Sequence, residues 1–214
     1  MSNLTTTFVD GSGGGTPIDA AWLNAVNAAL NPWRSRAALP LTSLTGWTAG
    51  TGTWTADANG IHQTDASTST KRLRYTASRI QLASAVVEVE VRLDSGAGNA
   101  GLTLRTGPGD VTQGQRVDLR GDGTNVTAVG FESDAFTAQG TYALDSSIAY
   151  GTWIKLRAQI HGSALAVSIN DTLLTTAKVD WGNNGPYLGL VCYSAAASWR
   201  NLKVWTLVGP TEAL

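Results

Sequence analysis

Cysteine is almost absent from this 214-residue chain: Cys192 stands alone, which excludes an internal disulfide and any cysteine-rich zinc site. Histidine is nearly as scarce, and His62 and His161 lie too far apart for a local His-x-His or His-Glu-x-x-His ligand pair. Charged residues make up 14% of the chain, against roughly 25% in an average soluble domain. Lys and Arg number 15 and Asp and Glu 16, a net charge of -1, so counterion release has little to offer and no nucleic-acid partner is expected. No apolar run approaches the ~20 residues of a membrane span, and no membrane insertion is expected. The first ten residues lack a basic segment followed by an apolar one, so no signal peptide is expected. Against these absences stand 24 glycines, eight tryptophans and 43% hydrophobic residues, a content that argues against disorder.

The hydrophobic period changes along the chain. In residues 1–36 a Gly-rich loop, Gly11 to Gly15, runs into Thr16, a good N-cap, and Pro17, which suits the first helical position. Asp19 favours the positive end of a helix. Ile18, Trp22, Leu23, Val26 and Leu30 then recur at spacings of three and four, and Asn31-Pro32 ends the pattern, which predicts a helix over 17–30. A helix of about 14 residues is marginal alone in water, so this stripe is expected to dock or oligomerise the chain. The Gly-rich loop lacks the Lys-Ser/Thr of a phosphate cradle.

From Leu41 to Leu207 the period is two. Val87, Val89, Val91 and Leu93 alternate with Glu88, Glu90 and Arg92; Val117 and Leu119 alternate with Arg116, Asp118 and Arg120. Ile154, Leu156, Ala158 and Ile160 repeat the pattern. Asn59-Gly60, Asp122-Gly123, His161-Gly162, Asn170-Asp171 and Asn184-Gly185-Pro186 supply turns between the runs. Many short alternating runs without helices between them predict a mainly β fold, an antiparallel sandwich or jelly roll over 37–208, with a tail at 209–214.

Two resemblances attach to these segments. Residues 8–24, Phe-Val-Asp-Gly-Ser-Gly-Gly-Gly-Thr-Pro-Ile-Asp-Ala-Ala-Trp-Leu-Asn, resemble the amino-terminal segment of bacteriophage minor tail and tail-fibre proteins. That resemblance implies attachment to a virion tail, a homotrimer, and other phage tail proteins as partners. The rest resembles the concanavalin A-like sandwiches, including laminin G-like modules. The correspondence lies in Gly46-Trp47, Gly52-Thr-Trp54, the strand over 87–93, Ala-Gly-Leu-Thr-Leu-Arg over 100–105 and Trp-Ile-Lys-Leu over 153–156. It continues through 165–170, 185–190 and 200–204. This second resemblance implies a jelly roll that meets glycans. Its motifs are core and turn requirements, so function must be argued from sites.

Glu88 and Glu90, two apart on one strand face, are the weak catalytic candidates, because a retaining glycosidase needs two carboxyls roughly 5 Å apart. In the laminarinase-type glucanases of this superfamily the strand carries Glu-x-Asp-x-x-Glu; here the third acid, Asp94, is displaced by one. The plainer reading is a solvated face whose charges pair across strands. Arg92, Arg105, Arg116, Asp118, Arg120 and Arg157 share a sheet face if their strands adjoin, with Arg105, Arg116 and Asp118 the candidate ligand donors and acceptors. Trp181 and Tyr142, beside polar loops, are the candidate sugar platforms. Asp94, Asp110, Asp122, Asp134 and Asp180 sit in loops of the kind that hold calcium, yet no spacing singles out ligands, and no metal or cofactor is expected.

Taken together these signals predict a phage minor tail protein, not an enzyme, whose sandwich touches host-surface carbohydrate or neighbouring tail proteins. Two alternatives stay open: a polysaccharide-degrading enzyme of the same sandwich class, and a secreted carbohydrate-binding module.

Overall fold

Period-two alternation is realised as strands throughout the computed structural model, which describes residues 33–36, 38–80, 82–107, 115–132, 138–178 and 185–207. The helix expected over 17–30, with Ile18, Trp22, Leu23, Val26 and Leu30, lies outside the described residues, as does the tail at 209–214. The chain divides into two compact units, residues 1–34 with 207–214 and residues 35–206; the second carries the sandwich.

One sheet runs β13 (Thr172–Lys178), β12 (Ala164–Ile169), β11 (Ile154–His161), β6 (Ser84–Ser95), β15 (Ala196–Leu207), β4 (Gly60–Gln63) and β3 (Trp54–Asp57), with β1 (Trp33–Arg36) as its eighth strand. The other runs β10 (Ala138–Ala149), β9 (Asn125–Glu132), β8 (Gln115–Gly121), β7 (Asn99–Thr106), β14 (Tyr187–Tyr193), β5 (Thr70–Tyr75) and β2 (Trp47–Thr51). Neighbours along both paths pair antiparallel, and several adjacent pairs, such as β11 with β6 and β7 with β14, are distant in sequence. This is the two-layer antiparallel sandwich expected from the alternation.

The pleat decides which side chains meet between the layers. Val87, Val89, Val91 and Leu93 of β6 and Ile154, Leu156, Ala158 and Ile160 of β11 are buried against Leu102 and Leu104 of β7 and Val117 and Leu119 of β8. Each such side chain contributes roughly 1.5–3 kcal/mol on leaving water. Trp199 of β15 is fully buried; its ring lies 5.4 Å from that of Trp54, and its indole N–H donates across the layers to the Gly101 carbonyl of β7 at 3.1 Å. Cys192 of β14 points into the same core, where burial pushes its thiol up to about 12. Asn170 and Asp171 take φ of 49° and 68° between β12 and β13, the two positive values of a type I′ hairpin turn that their residue types favour.

Candidate functional site

Burying Val117 and Leu119 forces Arg116, Asp118 and Arg120 of β8 onto the opposite side of the seven-stranded sheet. Register then supplies their neighbours. Arg116 lies between Thr103 of β7 and Glu132 of β9, and Asp118 lies between Gly101 and Gly130. The side chains close into a network. Arg116 Nε meets Asp118 Oδ2 at 3.0 Å, and Arg116 Nη2 meets Glu132 Oε2 at 2.5 Å. Arg120 Nε meets Asp118 Oδ1 at 3.3 Å, and Arg120 Nη2 meets Glu132 Oε1 at 2.7 Å. Two guanidiniums and two carboxylates thus lie in a ring of ion pairs, in which the contact of Arg120 Nη2 with Glu132 Oε1 is also a hydrogen bond.

The network is recessed. Asp118 is 0% exposed, while a quarter of the Arg120 side chain reaches solvent. Burial pushes the Asp118 carboxyl up to about 6, and Glu132 adds to the rise; Arg116 and Arg120 pull it back only in part. A carboxyl poised there changes charge near neutrality, as acid–base groups do.

Beside the network, Gly101, Thr103, Gly189 and Val191 are all buried. Gly101 and Thr103 of β7 pair in register with Val191 and Gly189 of β14, a floor two strands or about 10 Å wide. Arg72 and Arg74 of β5, opposed to Val191 and Gly189, stand on its far side. The Arg74 guanidinium lies 5.1 Å from the Tyr187 ring centre and donates to the Gly107 carbonyl at 2.7 Å. Gly130 is required for the network itself: a Cβ there would fall 1.9 Å from Arg120 Nε, so the guanidinium rests on bare backbone.

The six charged residues expected on one face are split by the structure. Arg116, Asp118 and Arg120 come together, whereas Arg92 and Arg157 lie in β6 and β11, on the other sheet. Arg105 has left the row. Its φ is 55°, and its guanidinium donates to the carbonyls of Leu82, Ala83 and Gly162 at 3.0–3.4 Å, tying the end of β7 to the start of β6 and to the β11–β12 turn. It works as a clamp. Arg105→Ala is therefore expected to lower stability by about 2 kcal/mol, from hydrogen bonds to a charged group, read as a shift in the urea midpoint. Tyr142, expected as a platform, lies opposite Val129, half-buried with its ring 5.3 Å from that of Phe131. Trp181 lies outside the described residues.

Glu88 and Glu90 also belong to the other sheet, on its outer side. Arg200 Nε meets Glu90 Oε2 at 2.5 Å and Asn201 Nδ2 donates to Oε1 at 3.0 Å, while Lys203 Nζ lies 3.6 Å from Glu88. Partial burial works to raise the Glu90 carboxyl, but the bonds from Asn201 and Arg200 outweigh it and hold it below the usual carboxylate range. A general acid needs the reverse. Glu90→Gln is expected to change stability by no more than about 1 kcal/mol, measured by thermal unfolding, as for a half-exposed ion pair. The guanidiniums of Arg92 and Arg200 lie 4.8 and 4.2 Å from the centre of the Trp153 ring.

Of the aspartates expected in loops, Asp110, Asp134 and Asp180 lie outside the described residues, while Asp94, which falls in β6, and Asp122 are committed to local bonds. Asp94 accepts from Arg92 at 2.6 Å and from Ser198 at 2.7 Å; Asp122 accepts the backbone N–H groups of Thr124 and Asn125, both at 2.8 Å. Among the described residues no three His, Cys, Asp or Glu side chains gather into a metal-binding group.

A family profile for the 3-keto-alpha-glucoside-1,2-lyase-like domain matches residues 41–205. The chain belongs to that family. The match covers both sheets and most of the chain, and it overturns the phage minor tail reading, which rested on some 30 amino-terminal residues lying outside it. The trimer, the tail partners and the virion location were implied by the same short segment. No curated protein sequence matches the chain.

Solved structures show the same sandwich. A carbohydrate-binding module of Bacillus subtilis, CBM66, superposes with a TM-score of 0.61 at 19% identity, covering 76% of this chain and 98% of that one. The carbohydrate recognition domain of Emp46p, in its metal-free form, gives 0.57 at 14% identity, with 79% and 95% covered. A Crh5 transglycosylase in complex with NAG gives 0.56 at 14% identity, with 85% and 86% covered. At these identities the likeness concerns fold alone.

Sequence pattern found part of this site and missed the rest. Arg116, Asp118 and Arg120 were legible because they alternate with buried aliphatics. Arg72 and Glu132 were missed, although each obeys the same parity: Arg72 alternates with Lys71 and Leu73, and Glu132 follows the buried Phe131.

Proposed function

We propose that this chain binds carbohydrate on the polar face of its seven-stranded sheet. The observation that carries the reading is the closed Arg116–Asp118–Arg120–Glu132 network beside a glycine-bearing floor. Planar donors and acceptors held in fixed orientation match vicinal sugar hydroxyls. The carbohydrate-directed names of the family and of the fold neighbours support the same reading. Calorimetric titration with a panel of α-glucosides and their 3-keto derivatives tests it. Arg116→Gln is expected to weaken binding by at least about 10-fold, the loss of one charged hydrogen-bonding partner, while Glu88→Gln on the other sheet leaves it unchanged. Binding indifferent to Arg116→Gln would place the sugar elsewhere.

A second reading, catalysis, is favoured by the Asp118 carboxyl at about 6. The family description names an elimination across C1 and C2 of a 3-keto α-glucoside. The ketone at C3 acidifies the C2 hydrogen. A carboxylate takes that proton, the C2–H electron pair becomes the C1–C2 double bond, and the C1 substituent leaves with its bonding pair and collects a proton. Asp118 fits the base, and the guanidiniums of Arg116 and Arg120 suit the negative charge that gathers on the ketone oxygen. Release of the leaving group from a 3-keto α-glucoside, reduced about 100-fold or more in Asp118→Asn, is the expected result. Wild-type protein that binds such a glucoside without turning it over excludes the catalytic reading.

A further inference from the structure

We infer that a sugar ring rests on Tyr193, at the turn end of the polar face, with the Asn99 amide and the Arg120 guanidinium holding its hydroxyls. The inference rests on the carbohydrate-binding reading above and names the place on the face where the ring is held. Exposure comes first. Register arranges the side chains of this face in rows that cross the sheet. One row, Arg72, Val191, Gly101, Asp118 and Gly130, is buried throughout. The next row toward the turns is Thr70, Tyr193, Asn99, Arg120 and Ala128, and every member of it reaches solvent. Tyr193 is the most open of them, at 39%, and with Leu173 it is one of two large hydrophobic side chains exposed among the described residues. A ligand meets this row before anything behind it.

The row brings together the groups that a pyranose needs. An open aromatic ring offers a flat apolar surface to the C–H side of the sugar. Asn99, one strand away, offers both a donor and an acceptor. Neither its amide nor the Tyr193 hydroxyl is hydrogen-bonded to another described residue. Arg120 stands one strand further, about 10 Å from Tyr193 across two strand spacings. It is the one member of the charged network that opens outward, and Asp118 and Glu132 hold its guanidinium in place. Arg116 acts from the buried side through Glu132, which both guanidiniums grip. The backbone under the row is fixed as well. The Tyr150 hydroxyl donates to the Gly96 carbonyl at 2.8 Å and accepts the Gly123 N–H at 3.3 Å. The Gly121 N–H donates to the Gly98 carbonyl at 2.9 Å, so the β6–β7 and β8–β9 turns are tied to each other. A Cβ at Gly98 would fall 1.9 Å from the Tyr193 carbonyl, so that turn closes directly on the strand carrying the platform. Groups held in position before the ligand arrives lose less freedom on binding it.

Calorimetric titration of the full chain with maltotriose, cellotriose and chitotriose tests the placement. Tyr193→Ala is expected to weaken binding of the preferred sugar by at least about 5-fold, the loss of one aromatic stack. Tyr193→Phe and Tyr193→Trp are expected to stay within about 2-fold of the wild type, because the ring and not the hydroxyl carries the contact. Asn99→Ala is expected to weaken binding several-fold through its lost hydrogen bonds. Leu173→Ala, which removes the other exposed apolar side chain, on the opposite sheet, is expected to leave the affinity unchanged. Affinity unmoved by Tyr193→Ala, a loss that Tyr193→Trp shares, or an equal loss in Leu173→Ala overturns the inference. Where Arg116→Gln still weakens binding in that case, the wider reading stands and the ring lies elsewhere on the face. A wild-type chain that binds none of the three sugars removes both.

Discussion

Asparagine in place of Asp118 is expected to raise the stability of the sandwich at pH 7 while weakening any ligand interaction of the network. The sign follows from the folded carboxyl, which titrates near 6 against an ordinary 3.8. The native state therefore holds this proton more tightly than the unfolded chain does. Its contribution to stability is full below about pH 4 and is lost as the pH rises through about 6. Some two pK units correspond to about 3 kcal/mol. Asparagine imitates the protonated form, so the variant should show a flat profile where the wild type declines. Urea midpoints of both proteins at pH 4, 5, 6 and 7 check this: equal values at pH 4 and a variant advantage that grows toward pH 7. A variant weaker by several kcal/mol at pH 7 would instead mean that the ionised pair is net stabilising, the behaviour of a buried charge robbed of its partner. A charge kept at the expense of stability belongs with function.

Trp199→Ala carries the largest expected loss. Removing a fully buried tryptophan costs about 3–5 kcal/mol from transfer and cavity terms. The Gly101 carbonyl that accepted its indole N–H is then left without that donor, which adds roughly 1–3 kcal/mol if water does not replace it. Together these approach the whole stability of an ordinary domain. Trp199→Phe separates the two contributions, since it keeps much of the apolar contact and drops the hydrogen bond. Chemical unfolding gives the stability of both variants. Gly101 is also the register partner of Asp118, so the phenylalanine variant should loosen the floor beside the charged network and weaken glycan binding by several-fold without unfolding the chain.

How far the chain could be read in advance depended on whether one residue's neighbours were local. Strand identity in β6, β8, β11 and β12 was plain because alternation is a property of consecutive positions, and the Asn170-Asp171 turn was plain because its positive φ values select those residue types. Sheet membership was not. Nothing within the β6 segment reveals that it pairs with β11 and β15, in the sheet opposite β8, so Arg92 and Arg116 looked like companions when the two layers separate them. Arg105 misled for a different reason: one left-handed residue at a strand end turned its side chain toward backbone carbonyls. Lys71 shows the limit of polarity as a guide, since it occupies a core-side position of β5, fully buried, with its ammonium on the Ser67 carbonyl and 3.9 Å from Asp65. The short amino-terminal likeness misdirected function because it lies outside the span that the family profile matches.

The solitary thiol between the layers gives the molecule a built-in clock. Cys192 is shut away in the core, and its acidity is suppressed to about 12, so an alkylating reagent meets no thiolate while the two layers stay together. Modification under native conditions must then wait for the layers to part. Its rate, followed by mass spectrometry, counts openings of the sandwich directly, and any sugar that grips the closed form should slow the count in proportion to its occupancy.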